Sequence, residues 1–367
     1  PNHSENQILV RTMYSVISAG TEGRSVKDAR ANYIGKAKAR PNEVKQVLNT
    51  IKTQGVLGTY RIVMDKLNSL SYLGYCCAGE VISVGNNIKK FKVGDLVACG
   101  GQGAAHAEVV SVLENLCVKI PDGVDIKHAS FSTIGSIVMQ GIRQADNRLG
   151  ENCLVIGLGL LGQFTIQILN SAGINTIGVD IDESKIELAK SNGCSLALMR
   201  NDPGIIEKIA DFSDGYGVDS SIITAATNSN DPINLAGEAC KMKGTVVSVG
   251  RVSTDFNRDI YYKKELDLRM SCSYGPGRYD SNYEEKAIDY PYGYVRWTEN
   301  RNMKAYMNLL KQKKLNIDSL ITHVFDFSDA ISAYDMIMDK SDPHIGILLE
   351  YDHKKELKKY FENKKTA

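Results

Sequence analysis

Three glycines, spaced as Gly157-Leu158-Gly159-Leu160-Leu161-Gly162, directly follow the apolar run Cys153-Leu154-Val155-Ile156. They open a segment that places Leu161, Phe164 and Ile168 on one helical face. A strand, a tight glycine turn and a helix in that order aim free backbone N–H groups and the positive end of a helix dipole at a phosphate. Gly157 permits the turn, Gly159 lets a diphosphate approach the backbone, and Gly162 lets the helix pack against the strand. The next apolar run ends in Gly178-Val179-Asp180, about twenty residues further on, where a carboxylate can accept hydrogen bonds from ribose hydroxyls. That carboxylate, with Asp182 beside it, would repel a 2′-phosphate, so the pattern points to NAD and disfavours NADP. Leu160, Leu161, Ile181, Thr224 and Gly250 are expected to line the same cofactor.

Metal chemistry has no local support. The eight cysteines are scattered without a Cys-x-x-Cys pair, and the six histidines lack His-x-x-x-His spacing. The cysteines also lack the framework of a small secreted fold, and most are expected to be buried free thiols. The charges nearly cancel, 44 basic against 43 acidic, so no general field attracts nucleic acid or an anionic bilayer. No apolar run approaches the roughly 20 residues of a membrane span, and no secretory pattern opens the chain, so a cytoplasmic location is expected.

At 367 residues the chain is long enough for two units, each with its own core. From Ile8 to Ala19, and again from Gly79 to Val97, runs rich in β-formers are broken by tight-turn residues, which predicts a β-rich unit. Between them Val44, Val47, Leu48 and Ile51 recur at helical spacing, which predicts a helical insertion over about 25–70. From about Gly123 to Tyr274 the order strand, glycine, helix repeats. Six strands are expected, at Cys153–Ile156, Thr176–Val179, Leu196–Met199, Ser220–Thr224, Thr245–Val249 and Leu268–Tyr274, forming a doubly wound parallel sheet. Asp231-Pro232 reads as a helix N-cap followed by proline, and Gly173 and Gly193 as helix stops. Ile321–Phe325 and Ile345–Glu350 read as strands that rejoin the first unit. The predicted organisation is therefore a β-rich unit over 1–122 and 318–353, a dinucleotide-binding unit over 123–317, and a Lys-rich tail over 354–367.

In this order, Ser15–Glu22 (SVISAGTE), Val93-Gly94-Asp95, Ala107-Glu108-Val109-Val110, Gly157–Gly162 and Val179-Asp180 resemble the medium-chain dehydrogenase/reductase superfamily. The resemblance implies a Rossmann α/β sheet inserted into a GroES-like catalytic domain. Within it, Ser18–Glu22, the helical insertion, Ser271–Asp280 and Tyr292–Asn300 look like the dehydrogenase half of bacterial bi-domain oxidoreductases. A separate Gfo/Idh/MocA-like partner protein and a homodimer are expectations of the same kind.

Zinc-dependent members of that superfamily hold the metal with residues whose places fall here on Ala19, on Tyr75 within Gly74-Tyr75-Cys76, and near Thr133. The four-cysteine zinc lobe is also missing between Ala98 and His106. A methyl group and neutral hydroxyls are poor zinc ligands, so no zinc is expected. The alcohol proton would then pass to Thr21, which matches the family's hydroxyl relay, and to Tyr75, whose pKa would have to fall for it to serve as a base. Glu22 could act as a base, or cap backbone N–H groups or pair with Arg24. His106 lies in a loop that approaches the cleft in this superfamily, and it could be catalytic or structural. Arg278, at the end of the sixth strand, could hold the cofactor diphosphate or an anionic substrate group, or form an Arg–Asp pair on a surface turn. Tyr274, Arg296 and Trp297 are candidates for substrate contact. The expected activity is NAD-dependent interconversion of a secondary alcohol and a ketone, on a sugar or nucleotide sugar. A quinone or enoyl reductase and a non-catalytic NAD-binding partner stand as the alternatives.

Overall fold

The computed structural model describes residues 4–30, 41–68, 72–339 and 341–353. The tail over 354–367 and parts of the expected insertion lie outside the described residues. Strands β1 (Gln7–Ile17), β2 (Cys76–Val84), β3 (Leu96–Gly100), β4 (Val109–Leu113) and β5 (Cys117–Lys119) belong to one sheet. Two strands from the end of the described chain complete it, β12 (Ile321–Asp326) and β13 (Gly346–Glu350). Strand β13 runs antiparallel to β1, with Tyr14 opposite Glu350 and Ile17 opposite Ile347, and β12 runs parallel to β13. The chain thus leaves this sheet after β5 and returns to it more than 200 residues later, the arrangement expected for Ile321–Phe325 and Ile345–Glu350.

The second sheet is built from β6 (Asn152–Ile156), β7 (Asn175–Asp180), β8 (Leu196–Met199), β9 (Val218–Ile223), β10 (Cys240–Ser248) and β11 (Asp267–Met270). All pairs are parallel, in the order β11-β10-β9-β6-β7-β8. Consecutive winding reverses between β6 and β9, which opens a crevice beyond their carboxyl ends. The fold is α/β, a parallel Rossmann-like sheet joined to a β-rich unit. One expected strand is shorter than its apolar pattern: Leu268–Tyr274 stops at Met270. Ser271–Ser273 leave the sheet because their backbone turns, with Ser273 at a positive φ of 48°.

Among the described residues, the helices of seven residues or more are α1 (Ala19–Arg30), α2 (Pro41–Asn68), α3 (Ser132–Ala145), α4 (Leu160–Ser171), α5 (Glu183–Ser191), α6 (Ile205–Phe212), α7 (Asp231–Ala239), α8 (Arg258–Lys264), α9 (Glu299–Lys311) and α10 (Ala330–Asp339). Helix α2 is two helical stretches joined across Gly55, whose φ of 75° and ψ of 168° no helix contains. The insertion begins earlier than its hydrophobic period suggested. Helix α1 starts at Ala19, so Gly20-Thr21-Glu22 form its first turn. Gly173 and Gly193 do follow α4 and α5 with φ of 74° and 89°. At α7 the cap is Asn230, one residue before the expected Asp231.

The two sheets share one apolar cluster. Val16, Cys76, Ala78 and Leu348 from the first meet Phe131, Phe164, Met303 and Tyr306 from the second unit's helices and connections. Phe164 sits between Phe131 and Tyr306 with ring centroids 5.8 and 6.0 Å away, and the Tyr306 hydroxyl donates to the His128 carbonyl at 2.9 Å. Such pairs add about 0.5–1.5 kcal/mol each beyond the area they bury. Phe164→Ala should therefore lower unfolding free energy by about 3–5 kcal/mol. Replacing the exposed Tyr279 by Ala should change it by less than about 0.5 kcal/mol. Urea unfolding followed by circular dichroism separates the two variants.

Candidate active site

A cleft of about 1280 Å³ lies between the two units. Its second-unit wall comes from the carboxyl ends of the parallel strands: Gly159, Leu160 and Leu161 after β6, Thr224, Ala226, Thr227 and Asn228 after β9, Val249, Gly250 and Arg251 after β10, and Ser271 and Ser273 after β11. Gly157 adopts φ of 96°, and a Cβ there would meet the Ala225 backbone nitrogen at 2.6 Å. A Cβ on Gly162 would stand 2.0 Å from the Gly157 carbonyl oxygen. Gly159 has open space where its side chain would be, and it faces the cleft just before the first turn of α4. The glycine loop can therefore take a diphosphate against bare backbone.

Asp180 is held by that loop. Its Oδ2 accepts from Leu158 N–H at 2.6 Å, and its Oδ1 accepts from the N–H groups of Ile181 and Asp182. These bonds fix a carboxylate at the carboxyl end of β7. Ile181 is 80% exposed and lies outside the cleft lining.

The opposite wall comes from Ser18, Ala19, Gly20, Thr21, Arg24, Ser25 and Lys27 of α1 and its cap, together with Tyr75. Ala19 and Tyr75 share this wall, and Thr133 lies behind it, its hydroxyl donating to the Tyr75 carbonyl and its N–H to the Cys76 sulfur. Burial pushes the Tyr75 phenol up to about 12, against the opposing pull of the Ser18 and Thr21 hydroxyls. This reverses the fall that a tyrosine base would need. Tyr75 instead stays protonated across the neutral range and is a hydrogen-bond donor. Burial likewise raises the Cys76 thiol to about 11, and its Sγ–H donates to the Ser130 carbonyl. Among the described residues no group of three or more His, Cys, Asp or Glu side chains could hold a metal ion.

Glu22 and His106 are absent from the cleft lining. They meet beneath α1, with His106 Nε2–H donating to Glu22 Oε2 at 2.9 Å, and both side chains are almost fully buried. The other ring nitrogen, Nδ1, lies 2.7 Å from the Ser15 hydroxyl, which also bonds to Tyr351. Tyr334 donates to Glu22 Oε2 at 2.6 Å, and Ser18 N–H donates to Oε1 at 2.8 Å. Glu22 therefore caps α1, as one of the two sequence readings had it, but its ionic partner is His106 and not Arg24. Both His106 nitrogens are engaged, which makes the ring a structural part of this network.

Four further candidates, Arg278, Tyr274, Arg296 and Trp297, also stand elsewhere. Arg278 forms a partly buried ion pair with Glu284, not with an aspartate, and lies outside the cleft lining. Tyr274 is buried in the first unit's core. Trp297 is stacked with Arg143 at 3.3 Å and Arg296 at 3.7 Å, away from the cleft. Sequence reasoning did not assign Ser18, Lys27, Lys185 and Arg251 to the cleft. A helix start at Ala19 would have revealed Arg24, three residues along the same face as Thr21.

The fold is an α/β, Rossmann-like unit with a β-rich partner unit, and known proteins sharpen that class. A family model described as zinc-binding dehydrogenase matches residues 161–289, a stretch within the parallel-sheet part that includes none of Ala19, Tyr75 and Thr133. D-guloside 3-dehydrogenase of Escherichia coli is 26% identical over 276 residues, covering 73% of this chain and 74% of its own. D-xylulose reductase of Saccharomyces cerevisiae is 23% identical over 335 residues, covering 80% and 86%. The crystal structure of 2R,3R-butanediol dehydrogenase from Bacillus subtilis superposes with a TM-score of 0.69 at 16% identity, covering 95% and 94%. The chain carries a zinc-binding-dehydrogenase-type domain, and its homologues and structural neighbours are medium-chain, alcohol dehydrogenase-like proteins.

Burial acts to raise the Glu22 pKa, but the hydrogen bond and charge of His106, then Tyr334 and Ser18, outweigh it and hold the carboxyl below the ordinary value of 4.5. A depressed pKa contributes stability that is fully present above the unfolded value and is lost as pH falls through the folded one. Glu22→Gln should lower unfolding free energy at neutral pH by about 2–4 kcal/mol. It should also flatten the acid side of the stability profile below pH 4.5, as measured by thermal melting across pH.

Proposed function

We propose that the chain is an NAD-dependent oxidoreductase that interconverts a secondary alcohol and a ketone on a sugar-like substrate without a catalytic zinc. The observation that carries this reading is one cleft lined by the glycine loop on one side and by the Tyr75 and Thr21 hydroxyls on the other. The sugar and polyol chemistry named for its homologues supports the substrate class. The unit boundaries that go with it are 1–122 with 318–353, and 123–317. The outer edge of β11 has no neighbouring strand among the described residues, which supports a homodimer.

Gly157, Gly159 and the first turn of α4 suit the diphosphate, and Thr224 and Gly250 suit the groups beyond it. Asp180 supports NAD, because its carboxylate is already fixed by three backbone donors and would face a 2′-phosphate with like charge. A bound nicotinamide supplies or accepts the hydride. The chain itself must handle the proton at the substrate oxygen. Tyr75, protonated at neutral pH, can donate a hydrogen bond to a substrate carbonyl and deliver its proton as the oxygen gains charge. Thr21 is exposed to the cleft and connects the phenol to solvent.

Zinc does not fit the residues present. Ala19 has no donor atom, the Tyr75 phenolate is disfavoured by burial, and the Thr133 hydroxyl is directed to a backbone carbonyl. Tyr75→Phe should cut kcat for ketone reduction by about 100-fold or more while leaving the NADH dissociation constant unchanged. The wild-type rate should survive chelation, with elemental analysis giving well below one zinc per chain. Unchanged turnover in Tyr75→Phe, or activity that follows bound zinc, would refute the hydroxyl-based scheme.

A further inference from the structure

The charged residues lining the cleft are of one sign. Arg24, Lys27, Lys185 and Arg251 reach it, and no Asp or Glu lines it among the described residues. Yet the whole chain carries a formal charge of only +1, so this is a local concentration of positive charge. The four cations divide by position. Lys185 follows β7, near the glycine loop, and pairs with Asp182 at 3.4 Å. Arg251 follows β10 on the same wall. Arg24 and Lys27 stand on the opposite wall, on the helix that begins beside Tyr75 and carries Thr21.

Neither Arg24 nor Lys27 has a carboxylate partner among the described residues, and both are exposed to the cleft. Arg30, one turn further along α1, is paired with Asp335, so the helix does satisfy cations where no ligand is needed. The dinucleotide's diphosphate is accounted for by bare glycine backbone and the dipole of α4 on the far wall. Two cations therefore remain beside the hydroxyls that face the reacting alcohol. An arginine fork and a flexible lysine one turn apart suit the oxygens of a carboxylate or phosphate ester.

We infer that the substrate is an anionic sugar derivative, its carboxylate or phosphate held by Arg24 and Lys27 while its alcohol carbon lies toward Tyr75 and Thr21. This inference rests on the reading of the cleft as a sugar-alcohol oxidoreductase site and specifies its substrate class.

The test is calorimetric binding to NADH-saturated full-length protein with three probes that share one six-carbon polyol framework: sorbitol, gluconate and sorbitol 6-phosphate. At least one anionic probe should bind about tenfold or more tightly than sorbitol. That advantage should shrink as salt rises from about 50 mM to about 500 mM. Whichever anion binds more tightly identifies carboxylate or phosphate as the recognised group. Arg24→Gln with Lys27→Gln should erase the advantage while the NADH dissociation constant stays unchanged. Equal or tighter binding of sorbitol, no binding of any probe, or loss of NADH affinity with the anion-to-sorbitol ratio intact would overturn the assignment. Turnover measured separately tests the oxidoreductase reading, so failure of that reading is distinguishable from failure of this one.

Discussion

A buried carboxylate must be fully hydrogen-bonded or it destabilises the fold, and Glu22 is where this requirement organises the molecule. One donor is local, Ser18 at the end of β1, and two are distant, His106 before β4 and Tyr334 on α10. Ser15 and Tyr351 extend the network to the opposite side of the ring. Satisfying one charge thus fixes the angle at which α1 leaves the first sheet. The same helix presents Thr21, Arg24 and Lys27 to the cleft, so their positions depend on a cluster that reaches the cleft only at Ser18. The close approach is visible at Gly23, where a Cβ would come within 3.1 Å of Ile337 on α10. A helix with two glycines in its first turns gives up about 1 kcal/mol at each. Cap and packing supply the compensation.

The opposite wall is fixed by hydrophobic burial. Because one apolar cluster joins the strands of the first sheet to the helices that flank the second, the two units meet over a continuous core. The cleft opens above that core, at the edge where the parallel strands end. Loops at such an edge have free backbone groups and face solvent, whereas the strand bodies are committed to the sheet.

Much of this was legible in the sequence because it is periodic and local. Strand, glycine and helix follow one another within thirty residues, so β6, Gly157–Gly162 and β7 could be read directly. The returning strands β12 and β13 were legible by length and apolar character. What could not be read depends on contacts between distant residues. Glu22 meets His106 across 84 positions and Tyr334 across 312, and no spacing rule connects them. The Tyr75 pKa is set chiefly by how much protein surrounds the phenol, a property of the folded chain alone. Arg278 was drawn toward the cleft by its place after the sixth strand, but the strand ends early and the chain turns, which carries the guanidinium to Glu284.

The raised Tyr75 pKa and the like-signed charge of the cleft have opposite electrostatic tendencies, and their combination narrows the chemistry. Burial disfavours phenolate, so at neutral pH the group offers a proton and does not remove one. Surrounding cations favour anions in the same volume, whether a ligand's fixed charge or negative charge developing on a substrate oxygen. A protonated donor in a positively charged cleft is suited to an oxygen that becomes more negative during reaction, as a carbonyl does on reduction. The reverse direction would require the phenol to be ionised first, which burial disfavours. Under the proposed chemistry Tyr75 is therefore suited to donate its proton to a carbonyl oxygen.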